Sequence, residues 1–88
     1  MHTDEYEISM SREINWCQKI VDKLLKNLQR REEEHGMSTE AFRQAFEQNK
    51  FPEPNADFQD WYRDYQELQI MRKRLDDNRE ALRIAKQM

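Results

Sequence analysis

Met10, Ile14, Cys17, Val21, Leu24 and Leu28 follow one another at gaps that alternate four and three. That rhythm places all six on one stripe of an α-helix; a strand, whose side chains alternate every second residue, cannot bury them together. Ile20 and Leu25 flank the stripe and Trp16 lies further round, so the apolar face is broader than a two-stranded coiled coil needs. Such breadth predicts contact with more than one helix. A second stripe recurs every seven residues at Trp61, Leu68, Leu75 and Leu82, with Met71, Asn78 and Ala85 at companion positions. Phe58, Tyr62 and Tyr65 widen its first half, and are expected to form a local core with Phe42, Phe46 and Phe51.

Between the stripes stands Gly36, the one glycine in 88 residues. Glycine takes the left-handed conformation that ends a helix at little cost, so the first helix is predicted to stop there. Ser38 follows as an N-cap, with Met37 before it and Phe42 four positions into the new helix, the spacing of a hydrophobic staple. "NKFPEPNAD", with two prolines, ends this short helix, and Asp57 or Asn55 caps the next. The reading is all-α: helices over about 9–35, 38–49 and 57–86, in a single helical domain spanning 1–88. At ~1.5 Å per residue the long helices match at roughly 40–45 Å and form an antiparallel hairpin, the short helix closing one end. Asp57, Asp60 and Asp64 early in the third helix, and Arg79, Arg83 and Lys86 late, suit its dipole.

A hairpin alone leaves so wide a face partly bare. The expectation is therefore a homodimer forming a four-helix bundle, or a small protein partner on the same surface. The residues assigned to that seam and its rim are Ile14, Ile20, Val21, Leu24, Leu28, Trp61, Leu68, Met71, Leu75 and Leu82. Asn78, within the seam, would fix register or oligomeric state, or else lie at a solvent-reached helix end.

Composition narrows the rest. Fifteen Lys and Arg against eighteen Asp and Glu leave a net charge of −3, and two Trp, three Tyr and four Phe remain to build a core. Near-cancelling charge with few glycines fits helices with polar outer faces rather than disorder. No apolar run approaches the ~18 residues of a membrane span, and "MHTDEYEISM" lacks the apolar core of a signal peptide, so a cytoplasmic chain is expected. There is no phosphate-binding glycine loop, nucleophile elbow or ligand cluster, and no enzyme activity or cofactor is expected. Cys17, inside the stripe, reads as a small buried hydrophobe rather than a nucleophile. Glu32 and His35 have the Glu-x-x-His spacing of di-iron bundles, but no second pair exists. His2 belongs to a terminus expected to fray, so no metal is expected.

Two charged rows remain. Lys19, Lys23, Lys26 and Arg30, with Arg12 on the same side, lie opposite the apolar stripe and offer the alternative function, contact with nucleic acid. The slightly acidic total argues against a dedicated nucleic-acid binder. Asp57, Asp60, Asp64 and Glu67 form an acidic row beside the aromatics, suited to a basic partner as well as to helix solubility.

Residues 33–68, "EEHGMSTEAFRQAFEQNKFPEPNADFQDWYRDYQEL", resemble small prokaryotic helical proteins of the antitoxin type in toxin–antitoxin pairs. The resemblance rests on Gly36, Met37, Ser38, Phe42, Phe46 and Trp61. It implies a non-enzymatic hairpin that neutralises a companion sterically, by laying its apolar seam and acidic rim on a basic surface.

Overall fold

The computed structural model describes residues 3–53 and 55–87. Helix α1 spans Thr3–His35, α2 Thr39–Glu47 and α3 Ala56–Gln87, and no strand forms among the described residues. The two long helices lie antiparallel against each other, and α2 packs across their closed end. His2 and Pro54 lie outside the described residues. α1 begins six residues before the expected start, and its Glu7 and Ile8 share a shallow groove with Lys86 of α3.

Each boundary has a local cause. Gly36 has φ +65°, and its amide donates to the Glu32 carbonyl at 2.9 Å, the single bond that closes a left-handed helix end. The Ser38 hydroxyl accepts from the Ala41 amide at 3.1 Å, and Met37 and Phe42 both join the core as the staple spacing predicts. α2 ends at Glu47 rather than near residue 49. Asn49 takes φ 57°, its amide reaches the Phe46 carbonyl and that of Lys50 the Ala45 carbonyl, the paired bonds of a Schellman motif. Asn55, not Asp57, caps α3, its side-chain oxygen accepting from the amides of Asp57 and Phe58 at 2.9 and 3.1 Å.

The core runs along the α1–α3 seam and swells at the closed end. Cys17, Val21, Leu24 and Leu28 meet Leu68, Met71 and Leu75, while Phe42 and Trp61 are fully buried. Phe42 stacks on Trp61 with centroids 3.9 Å apart and planes within 4°, and Phe46 stacks on Tyr62 at 4.6 Å. Phe51 and Phe58 close the cluster at 4.8 Å from each other. The outcome is a rod of 58 × 21 × 18 Å. Its radius of gyration, 17.3 Å, well exceeds the ~12 Å of a compact chain of this length. A slender core and a long surface follow.

Candidate interaction surface

The seam is filled within one chain. Val21, Leu24, Leu28, Trp61, Leu68, Met71 and Leu75 are buried against one another, so the partner seam assigned to them is not open in this fold. The aromatic part of the α3 face is covered by α2 and by Phe51, while Trp16 and Leu25, which broaden the α1 face, stay exposed. Ile14, Ile20 and Leu82 are half-buried.

What stays uncovered lies to the side. Trp16 is 48% exposed, Ile70 65% and Ile84 47%. The Arg74 guanidinium sits 5.1 Å from the centre of the Trp16 ring and pairs with Glu13, which brings α1 and α3 edges together there. Ile20 stands one helical turn after Trp16, Ile70 one turn before Arg74, and Ile84 two heptads after Ile70, so all share this side of the rod. Leu25 faces the other side, in a shallow groove with Tyr65 and Arg72, and Tyr6 and Ile8 lie at the open end. Apolar side chains this large are uncommon on a surface otherwise carrying charge at more than a third of its positions.

The closed end holds a polar network that the apolar pattern left unread. Arg31, only 6% exposed, donates to Asp64 at 2.7 Å, and its Nε stands 3.4 Å from Asp57 without a hydrogen bond. His35 donates through Nε2 to Asp57 at 2.9 Å and stacks on Trp61 at 5.2 Å. The buried Trp61 indole donates to the Thr39 hydroxyl at 3.1 Å, and Glu32 accepts from the Thr39 amide at 2.6 Å. A signal for this existed. The four-three rhythm of α1 continues beyond Leu28 to Arg31 and His35, and that of α3 runs through Asp57, Trp61, Asp64 and Leu68. Charged residues at seam positions must meet partners across the seam. Asn78 obeys the same logic, its amide reaching the Cys17 sulfur at 3.9 Å, so it serves intrachain register.

These bonds reassign the acidic row. Asp57 and Asp64 face Arg31 and His35, and Asp60 pairs with Arg63, which leaves only Glu67 of the row without an ion pair among the described residues. Glu32 is committed to the α2 amide. Glu34, His35 and Asp57 bring potential ligand atoms within 4.8 Å of one another. The Arg31 guanidinium beside Asp57 opposes a further cation, and the same charge with the His35 bond holds the Asp57 carboxyl below the usual carboxylate range. Burial, reinforced by Glu13, pushes the Cys17 thiol up and makes it a poor nucleophile. Lys19, Lys23, Lys26 and Arg30 are exposed along one face of α1 as expected, Arg30 with Glu34 at 3.7 Å. No helix is long and apolar enough to cross a membrane. No protein-family model, curated protein or solved structure matches the chain.

Proposed function

We propose that the chain is a non-enzymatic protein–protein interaction module that associates by helix packing through the side bearing Trp16, Ile20, Ile70 and Ile84. The observation that carries the reading is the exposure of Trp16 and Ile70 around Arg74, on a rod whose seam is already full. Tryptophan and arginine are both enriched at binding hot spots. Helices packed on this side would extend the hairpin into a bundle, whether supplied by a second copy or by a different chain. In the manner of the antitoxin-type proteins that residues 33–68 resemble, covering a companion's surface would suffice to neutralise it.

Replacing Trp16 and Ile70 together by serine tests this. Trp16 is 48% and Ile70 65% exposed, so the variant should keep its helical circular dichroism and most of its thermal stability. Its concentration-dependent molar mass by light scattering, and any companion retained on purification, should drop away. A double variant that keeps the parent's self-association, or that retains a companion the parent binds, would contradict the reading.

A further inference from the structure

On the reading that this side of the rod binds protein, we propose that its occupant is an acidic amphipathic helix of another protein, not a second copy of the chain. The basic row is longer than the four residues of its core. Arg12, Trp16, Lys19, Lys23, Lys26 and Arg30 follow at gaps of four, three, four, three and four, so the exposed tryptophan stands within the row. The row covers about 27 Å of helix at ~1.5 Å per residue. Arg12, Lys19, Lys23 and Lys26 make no ion pair among the described residues; Lys50, Arg72, Arg79 and Lys86 also make none, but they are scattered, whereas these four follow one another along one face of α1. This run of cations without carboxylate partners invites an acidic complement.

The strip borders the apolar side. A helix lying along the valley between α1 and α3 would set an apolar stripe on Trp16, Ile20, Ile70 and Ile84. Carboxylates at three- and four-residue spacing on its flank would then face Arg12, Lys19, Lys23 and Lys26. A second copy fits poorly. Three of the four carboxylates of its acidic row are engaged by Arg31, His35 and Arg63, leaving Glu67 alone, and the outer face of its α3 alternates in sign through the Lys73–Asp77 and Glu80–Arg83 pairs. Nucleic acid fits less well. A single row on a convex helix forms no groove, the overall charge repels a polyanion, and Ile20, Ile70 and Ile84 have nothing to offer a sugar–phosphate backbone.

The test is a titration of the full chain, followed by the indole N–H resonances of Trp16 and Trp61. The probes are a synthetic helical peptide with a leucine seam and a glutamate flank, the same peptide with lysine for glutamate, and single-stranded oligo-dT. The acidic peptide should shift the exposed Trp16 signal and leave that of buried Trp61. Its affinity should fall about tenfold or more in the Lys19→Glu/Lys23→Glu/Lys26→Glu variant and with added salt. The lysine peptide should not bind. An unmoved Trp16 signal with the acidic peptide, equal binding of the two peptides, or binding of oligo-dT instead would overturn the proposal. Self-association through Trp16 seen by light scattering would also overturn it, while leaving the interaction reading intact.

Discussion

Single residues decide how the two long helices find their register. Arg31 and Asp64 sit at seam positions where an apolar pair would pack, and their 2.7 Å bond joins the helices only in the observed alignment. Removing one partner of such a pair leaves the other charge buried, at a cost of about 3 kcal/mol or more. Asp64→Ala should therefore lower the urea-unfolding free energy by about that amount, while Arg31→Met with Asp64→Leu should cost much less than the two single losses summed. Additive losses would show that the pair contributes no coupling. Asp57 supplies a pH signature. Its carboxyl is held low first by the His35 bond and then by Arg31, so its contribution is present above the unfolded value of about 3.9 and vanishes as pH falls through the lower folded value. The Asp57 side chain is nearly half exposed, which limits the effect to about 1 kcal/mol or less. Thermal midpoints of Asp57→Asn should lie below those of the parent at neutral pH and converge with them as pH falls through the lowered folded value. A constant gap would remove Asp57 from the account. At this scale the sequence is least legible, because an apolar pattern marks the seam only where it is apolar and does not show that Arg31, Asp64 and Thr39 meet across it.

The elements were legible wherever a boundary depends on backbone chemistry that one residue type supplies. Gly36 and Ser38 each predicted a specific bond, and both bonds are present. Asn49 is less legible, because asparagine tolerates the left-handed region without requiring it as glycine's presence suggests, and the prolines beyond give a stronger but later stop signal. A Cβ at Gly36 would meet nothing within 4 Å, so conformation alone sets the penalty there. Gly36→Ala should cost about 1–2 kcal/mol through its positive φ, read from chemical denaturation, with the helical content kept. A neutral outcome would mean that α1 does not end in the left-handed conformation.

For the whole molecule, periodicity and chain reversal were readable, but the division between inside and outside was not. A stripe reports that a face must be covered and is silent on whether α2, α3 or another chain covers it. Here aromatic residues of α2 and Phe51 cover the aromatic end of the seam, and Trp16, Ile70 and Ile84 stay exposed beside it. The account therefore rests on α1 and α3 closing on each other within one chain. Spin labels at residues 12 and 83, in a Cys17→Ala background and diluted with unlabelled chain, measure this closure by pulsed electron resonance. The Gln18–Arg79 and Cys17–Asn78 contacts place both labels toward the open end, so the hairpin predicts a separation within about 20–30 Å, two to three helix diameters, that survives dilution. A distance beyond about 60 Å, as a straight rod would give, or a short distance that disappears on dilution, as an exchanged dimer would give, would contradict it.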